Sequence, residues 1–460
     1  MMDQSIKFDL ALINRYDKAG PRYTSYPTAL ELHEGFGDEA YREHIAKSNA
    51  AGGPLSLYFH IPFCDTVCFY CACNKIVTKN RDHAQPYLDN LYKEIAMQGD
   101  LFDRNRVVNQ LHWGGGTPTF LSFEQMQKLM QVTRAHFSLR DDDQGEYSIE
   151  IDPRETDDRT IHQLRELGFN RISLGVQDFD PAVQKAVNRL QSEEQTFAVL
   201  AAARAAGFRS TNIDLIYGLP LQTVATFSRT LDKILAAVPD RFSIFNYAHM
   251  PARFKTQRQI NDADLPTADV KLDILQMVGQ RLTEAGYVYI GMDHFAKPDD
   301  ELAIAQREGK LYRNFQGYST HSDCDLVGLG ITSIGRVGDA YVQNAKELAE
   351  YDKLIGQGRL PVFKGVELND DDKLRRAVIT QLICHFDLTF AAIEQAFDVD
   401  FHDYFADELK ALAPMQDDGL LTVSEQAIHV LPAGRLLIRN ICMVFDRYLA
   451  QKQQQFSKVI

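Results

Sequence analysis

The sequence predicts an α/β fold, and two observations support this prediction. Between residues 54 and 247, six short runs of β-branched and apolar residues are separated by amphipathic stretches with helical spacing. Strands that alternate with helices form parallel sheets with helical crossovers. Six units fall short of the eight in a closed barrel, so the pattern favours a partial six-unit βα (TIM-like) barrel. A doubly wound sheet is the alternative.

Each unit can be placed on the chain. The predicted strands span residues 55–61, 108–113, 147–151, 171–175, 211–217 and 242–246. The predicted helices between them span residues 85–101, 123–136, 160–167, 194–206 and 224–237. Gly168 and Gly207 directly follow two of these helices, a position where glycine commonly ends a helix.

The segments around the barrel differ in pattern from it. Residues 1–53 precede the first strand, and we predict that they form an N-terminal strap. Residues 54–362 are assigned to the barrel and its extension, and residues 363–460 to a small, mostly helical C-terminal domain. The further elements predicted here are helices at 267–285, 370–384, 390–397 and 435–445, a strand at 287–290, and a hairpin of 420–423 with 428–430.

Composition excludes several classes of function. The chain has 460 residues, of which 45% are hydrophobic and 24% charged, as in an ordinary globular protein. The net charge of −14 argues against a nucleic-acid partner, which requires a basic face. No apolar run reaches about 18 residues, and residues 1–15 do not resemble a signal peptide. We therefore expect a cytoplasmic protein with no membrane span, and nothing in the sequence demands more than a monomer.

Four of the seven cysteines lie within ten residues. Cys64, Cys68 and Cys71 have the spacing C-x-x-x-C-x-x-C and follow the first predicted strand, with Cys73 just beyond. Thiolates this close repel one another, so a bound cation or cluster is the natural explanation. Three ligands leave one iron of a 4Fe–4S cluster open for a substrate or cofactor atom. An odd number of cysteines also argues against a disulfide framework.

Two other interpretations of the cysteine loop are weaker. A structural zinc site usually takes two well-separated cysteine pairs, whereas these four cysteines share one short loop. A redox pair of Cys68 and Cys71 would leave Cys64 and Cys73 without a role. The spacing therefore favours a cluster over zinc, and zinc over a redox pair.

Polar and glycine residues gather where the predicted strands end. Parallel βα folds place their sites at the carboxyl ends of the strands. A glycine run, 114–116, follows the second strand, and acidic or amide side chains stand at the ends of the third and fourth; Asp214 lies within the fifth, a looser fit. The glycine run lacks the Lys-Ser/Thr of a phosphate loop, so its alternative interpretation is a tight turn. The other residues of this set are Glu150, Gln177, Asp178, Asp214 and the segment 246–249.

The cysteine loop in this setting resembles the radical S-adenosylmethionine (SAM) superfamily. Five stretches together resemble one family within it, the oxygen-independent coproporphyrinogen III oxidases, and the resemblance covers nearly the whole chain. The stretches are residues 20–28 (GPRYTSYPT), 58–73 (YFHIPFCDTVCFYCAC), 113–118 (WGGGTP), 212–220 (NIDLIYGLP) and 291–296 (GMDHFA). The resemblance implies a partial barrel with a small C-terminal domain.

The resemblance also implies a set of cofactor contacts. The cluster is held by Cys64, Cys68 and Cys71, and two SAM molecules bind side by side. The first is contacted by Tyr58, Gly115, Glu150 and Ile334. The second is contacted by Tyr70, Gly116, Thr117, Gln177, Arg189, Asp214 and Ala248. Position 70 is tyrosine here where relatives have phenylalanine; either ring can stack on adenine.

The implied reaction is an oxidative decarboxylation. A 5′-deoxyadenosyl radical removes a hydrogen atom from a propionate of coproporphyrinogen III, and two rounds give protoporphyrinogen IX. An electron-donor protein such as flavodoxin or ferredoxin would reduce the cluster. Arg22 is a candidate for binding a propionate because arginine binds carboxylates bidentately, and Gln316 is a second candidate for substrate contact. His60 either bonds a carboxylate or is a satisfied core histidine.

A haem-binding chaperone on the same fold is the main alternative function. Relatives of that kind typically lack a cysteine at the position of Cys73. The presence of Cys73, the stretch around Arg22 and the length of the chain favour the enzyme. A zinc-dependent interaction protein is a more remote alternative.

Overall fold

A computed structural model of the chain describes residues 5–449. It contains two compact units, each assembled from separate stretches of sequence. The barrel unit joins Leu32–Thr267 to Asp323–Glu367. The helical unit joins the residues up to Glu31, the segment Ala268–Ser322 and the residues from Leu368 onward. The three-part division at residues 53 and 362 stays a prediction.

Six parallel strands form the centre of the barrel unit. They are β1 (Leu55–Ile61), β2 (Val107–Gly115), β3 (Glu146–Ile151), β4 (Arg171–Gln177), β5 (Ser210–Tyr217) and β6 (Arg241–Asn246). Each pairs in parallel with the next along the chain. Within residues 5–449, β1 and β6 do not pair with each other, so the barrel is open. The predicted fold class is confirmed, and each predicted strand overlaps an observed one.

Helices lie between these strands in the sequence, and each helix has buried residues on one side. They are Ala84–Gly99, Phe123–His136, Asp158–Glu166, Pro181–Ala186, Glu193–Ala205 and Val224–Ala237. The second begins with a capping box, in which Ser122 and Gln125 satisfy backbone amides that have no partner within the helix. In the core beneath, the Trp113 ring meets Phe169 edge-on with centroids 4.9 Å apart.

The sheet continues past β1 on the side away from β2. Asp325–Leu329 pairs in parallel with β1, and antiparallel strands Ile334–Val337, Ala340–Asn344 and Val362–Glu367 follow. Helices Asp38–Ala51 and Leu348–Gly356 complete the unit. A buried ion pair, Arg106 Nη2 to Asp325 Oδ2 at 2.7 Å, fixes the first of these strands. The glycine-rich sequence 328–338 is thus part of two strands and the turn between them.

The helical unit contains the N-terminal residues as well as the C-terminal ones. Its helices are Leu10–Tyr16, Ala268–Glu284, Glu301–Arg307, Asp370–His385, Phe390–Phe397, Phe401–Tyr404, Ala406–Asp417, Pro432–Arg435 and Ile438–Val444. Its strands are Val288–Gly291, His294–Ala296, Tyr312–Asn314, Gly317–Ser319, Asp387–Thr389, Leu421–Val423 and Ala427–Val430. Ile13 and Tyr16 pack with Leu272, Leu420 and Leu437 in one apolar cluster.

One helix of this unit differs from its prediction. The helix predicted over 435–445 is shorter than predicted: one short helix ends at Arg435, and a second spans Ile438–Val444. Leu437 separates them with backbone angles φ −101° and ψ 16°, outside the helical range. Among residues 5–449, no helix combines the length and the apolar character needed to cross a membrane.

Candidate functional site

The cysteine loop is anchored at both ends to the carboxyl end of β1. After Ile61 the chain forms a two-residue strand, Phe63–Cys64, paired with Ile76–Val77. The Ile76 amide donates to the Pro62 carbonyl at 2.7 Å. In the middle of the loop, the Phe69 amide donates to the Val187 carbonyl at 3.0 Å. The loop is therefore held by backbone bonds and keeps its cysteines at the mouth of the barrel.

One cavity is lined by the cysteine loop and by residues of β2–β5. All four loop cysteines line it. Of the eleven residues predicted to contact SAM, eight line the same cavity: Tyr70, Gly115, Gly116, Thr117, Glu150, Gln177, Arg189 and Asp214. The parallel strands place these residues together although they are up to 144 positions apart in sequence, from Tyr70 to Asp214.

The other three predicted SAM contacts are not among the residues that line this cavity. The Tyr58 ring stacks on His112 with centroids 5.8 Å apart. Ala248 is exposed, and its carbonyl accepts a bond from Gln257 at 3.2 Å. Ile334 is half-buried at the start of its strand.

The cysteine thiols differ in acidity. The pKa of Cys71 is lowered to about 6 by a hydrogen bond from Cys73 and by the Lys75 cation, against the opposing effect of burial. Burial raises the pKa of Cys64 to about 12, although Thr117 Oγ1 donates to its sulfur at 3.7 Å. At neutral pH Cys71 is therefore a thiolate and Cys64 is a thiol. Binding a metal must displace the Cys64 proton.

Two arginines contact Cys68, a feature that sequence reasoning missed. Arg154 Nη2 and Arg189 Nη1 each lie 3.6 Å from its sulfur. Asp152 Oδ2 accepts from both arginines, at 2.6 and 2.9 Å, and fixes their positions. The available signal was the Asp-Pro-Arg sequence directly after β3. Two cations beside one sulfur stabilise negative charge there.

The glycine run is required by close packing. Gly115 has φ +113°, and a Cβ there would lie 2.7 Å from the His60 ring. Both nitrogens of that ring are bonded, Nδ1 with the Tyr58 hydroxyl at 3.1 Å and Nε2 with the Asn74 carbonyl at 3.0 Å. Burial lowers the pKa of His60, so the ring is neutral. These contacts favour the interpretation of His60 as a satisfied core histidine.

Gly116 has even less room, because a Cβ would lie 2.6 Å from the Phe63 backbone oxygen. Its amide donates to the Ile61 carbonyl at 2.8 Å. Glycine at this position lets β2 approach the cysteine loop closely.

Three acceptors lie on β3–β5: Glu150 and Gln177 at the carboxyl ends of β3 and β4, and Asp214 within β5. Burial raises the pKa of Glu150, but bonds from His112 and the Gly115 amide lower it by more, so Glu150 is a carboxylate at neutral pH. Burial raises the pKa of Asp214 to about 6, and Ser173 donates to it at 2.8 Å. Gln177 Oε1 is buried and has no hydrogen-bond partner among residues 5–449. Its backbone φ of +68° is strained for a residue with a side chain.

This donor set fits a cluster better than a single ion. Zinc–sulfur bonds of about 2.3 Å in a tetrahedron bring sulfurs within about 4 Å of one another. Among residues 5–449, the loop sulfurs do not form a group of three or more that lie within 4.8 Å of one another. The unpartnered Gln177 oxygen fits a cofactor that carries hydrogen-bond donors.

The two predicted substrate contacts belong to the helical unit. Arg22 Nη1 donates to Asp293 Oδ2 at 2.6 Å. Gln316 is exposed in the turn between Tyr312–Asn314 and Gly317–Ser319. Its backbone amide donates to Asn314 Oδ1 at 2.9 Å.

Comparison with known proteins gives consistent results. The Radical SAM superfamily profile matches residues 58–234, and the HemN C-terminal domain profile matches residues 368–437. The chain is 54% identical to the oxygen-independent coproporphyrinogen III oxidase of Pseudomonas aeruginosa and 54% identical to that of Escherichia coli K12, in both cases over all of each chain. A solved structure of coproporphyrinogen III oxidase from E. coli, described as a radical SAM enzyme, matches with a TM-score of 0.92 and 53% identity. That match covers 97% of this chain and 100% of the other.

Proposed function

Because the chain belongs to the oxygen-independent coproporphyrinogen III oxidase family of radical SAM enzymes, we propose that it converts coproporphyrinogen III to protoporphyrinogen IX. Two propionate side chains are oxidatively decarboxylated to vinyl groups. One observation carries the proposal: the cavity at the barrel mouth joins three cysteines in radical SAM spacing to the acceptors at the strand ends. No observation favours the haem-binding chaperone.

Cys64, Cys68 and Cys71 would hold a 4Fe–4S cluster. When bound, the cluster and SAM supply the 5′-deoxyadenosyl radical that removes hydrogen from a propionate. Cys73 donates a hydrogen bond to Cys71. We therefore assign Cys73 as a hydrogen-bond partner of a cluster ligand. Arg154 and Arg189 would bond the Cys68 sulfur from outside the cluster.

Two SAM molecules are proposed, with the contacts that the family resemblance implies. Glu150, a carboxylate at neutral pH, can accept bonds from ribose hydroxyls or an ammonium group. Gln177 offers an acceptor that lacks a partner in the described part of the chain. The eight cavity residues support this assignment. Tyr58, Ile334 and Ala248 rest on the resemblance alone.

The cellular compartment, the oligomeric state and the partners are proposed from the sequence and the family resemblance. We place the protein in the cytoplasm as a monomer, with flavodoxin or ferredoxin as its reductant. Arg22 and Gln316 are proposed to contact the porphyrinogen.

An anaerobic assay tests the function. Reconstituted protein is given dithionite, SAM and coproporphyrinogen III, and protoporphyrinogen and 5′-deoxyadenosine are followed together. Both products are expected, and Cys68→Ser should abolish both. Cys324→Ser, a buried cysteine outside the loop, is the matched control and should retain them. Deoxyadenosine without a vinyl product would reject the substrate. Neither product, with tight haem binding, would support the chaperone instead.

A further inference from the structure

Three arginines lie close together in the helical unit. Arg313 and Arg439 are 6% and 4% exposed, and Arg22 lies beside them. Asp293 lies with them and forms an ion pair with Arg22 at 2.6 Å. Burial, together with the nearby charges of Arg22 and Arg313, lowers the pKa of Arg439 to about 10. We call these four residues the arginine cluster.

The backbone of residues 20–22 holds the cluster together. Arg439 donates to the carbonyls of Gly20 and Pro21, the latter at 2.9 Å. Arg313 Nε donates to the carbonyl of Arg22 at 3.3 Å. Three consecutive carbonyls are thus bonded by two buried guanidinium groups. This arrangement keeps the Arg22 side chain next to both.

Arg313 has a donor without an acceptor in the described part of the chain, and the Arg22 side chain is partly exposed. Arg313 Nη1 is buried and has no hydrogen-bond partner among residues 5–449. Its guanidinium lies over the Tyr318 ring, 4.8 Å from the centroid, which fixes its plane. The Arg22 side chain is 36% exposed, and the ion pair with Asp293 uses only its Nη1. A group arriving from solvent can therefore reach the Arg22 guanidinium, and Arg313 bonds the backbone of the same residue.

A role only in holding the N-terminal segment in place does not explain why three arginines lie together here. The carbonyl bonds of Arg439 already tie the N-terminal segment to the helix Ile438–Val444. Further buried cations beside it are costly unless an anion compensates them, and an unpartnered buried N–H is costly as well. Planar guanidinium groups are matched to carboxylates, which accept two parallel hydrogen bonds.

We propose that Arg22, Arg313 and Arg439 form a binding site for ligand carboxylate groups. This inference rests on the proposed function, since the porphyrinogen substrate carries propionates. It extends the expectation for Arg22 to two residues that sequence reasoning did not identify. The methionine carboxylate of SAM has the same chemistry, so the test must distinguish the two sources.

Equilibrium binding to the anaerobic holoprotein tests the proposal. The probe is coproporphyrin III, the stable oxidised form of the substrate with four carboxylates, followed by fluorescence. Its tetramethyl ester, which lacks the negative charges, is the comparison ligand. Wild-type protein is expected to bind the acid at least tenfold more tightly than the ester. Arg313→Gln and Arg22→Gln should each weaken acid binding about tenfold or more without changing ester binding, and Arg313→Lys should lose less than Arg313→Gln.

Arg307→Gln is the matched control, because Arg307 belongs to the same unit and also donates to a backbone carbonyl, that of Pro298 at 2.7 Å. It should bind the acid as wild type does. If Arg313→Gln fails to fold, the partly exposed Arg22 and the ester comparison on wild type still decide the question. Equal binding of acid and ester, or acid binding unchanged in Arg22→Gln and Arg313→Gln, overturns the proposal.

Titration with SAM separates the two carboxylate sources. SAM affinity should be the same in wild type and in both variants; a loss confined to SAM overturns the assignment to the porphyrinogen. Failure of the proposed function has a different signature. In that case wild type forms no vinyl product, yet it still binds the acid more tightly than the ester, and the arginine variants still lose that preference.

Discussion

Replacing Glu94 with glutamine is expected to remove a pH-dependent loss of stability from the barrel unit. Glu94 is 0% exposed. It accepts bonds from the Gly330 amide at 2.8 Å, from Asn344 at 2.7 Å and from Tyr351 at 2.6 Å. Burial outweighs these bonds and raises its pKa from 4.5 to about 7.

The sign and size of the effect follow from this shift. A carboxyl group with a raised pKa in the folded state holds its proton there after the unfolded chain has lost it. Stability therefore falls as the pH rises from about 4.5 to 7. At about 1.4 kcal/mol per pKa unit, the difference between 4.5 and about 7 corresponds to roughly 3 kcal/mol. Glutamine resembles the protonated carboxyl in shape and does not titrate.

Denaturant unfolding between pH 4.5 and 8, performed anaerobically on both proteins, provides the assay. Trp113, the one tryptophan of the chain, is buried in the same unit and reports its unfolding. The free energy of unfolding of Glu94→Gln minus that of wild type should increase by roughly 3 kcal/mol over this range. All other groups titrate alike in both proteins and cancel. Glu166→Gln, at an exposed site, should show no such drift. A difference that is flat with pH would refute the reasoning.

Three further predictions concern the site. Gly116→Ala should reduce SAM binding in calorimetry by at least tenfold, because the new Cβ would meet a backbone oxygen of the cysteine loop at 2.6 Å; normal affinity would contradict this. Arg154→Gln should lower the cluster midpoint potential by tens of millivolts in an EPR-monitored titration, since it removes a cation 3.6 Å from Cys68 sulfur; an unchanged potential would exclude the effect. In apoprotein at pH 7.5, iodoacetamide should modify Cys71 well before Cys64, because their pKa values are about 6 and 12; mass spectrometry of the peptides measures the order.

The parallel core of the fold could be predicted from sequence because each element carries a local signal. The first strand, 55–61, and two of the helices, 123–136 and 224–237, have the predicted bounds. A buried apolar run bounded by glycine, proline or a helix cap marks such elements. The extension at 325–367 could not be predicted in the same way. Its strands are short, three of the four contain glycine, and they are stabilised by pairing with neighbours rather than by local preference.

The site was predicted to the extent that it lies at strand ends. The cysteines, Glu150, Gln177 and Asp214 follow from that rule and from the family resemblance. The contact of Arg154 with Cys68 could not be predicted, because it depends on the direction of a side chain in the turn after β3. The arginine cluster was missed for a different reason. Arg313 and Arg22 are 291 positions apart, and no periodicity connects them.

The division into units has a consequence for synthesis on the ribosome. The N-terminal residues up to Glu31 share a unit with residues from Leu368 onward, and the Arg439 to Pro21 bond spans 418 positions. At about 5–20 residues per second, the N-terminal segment waits roughly 20–80 s before its partners are translated. Its apolar side chains, Ile13 among them, stay available to chaperones throughout that interval. We expect these residues to need protection until the segment around Arg439 has been translated.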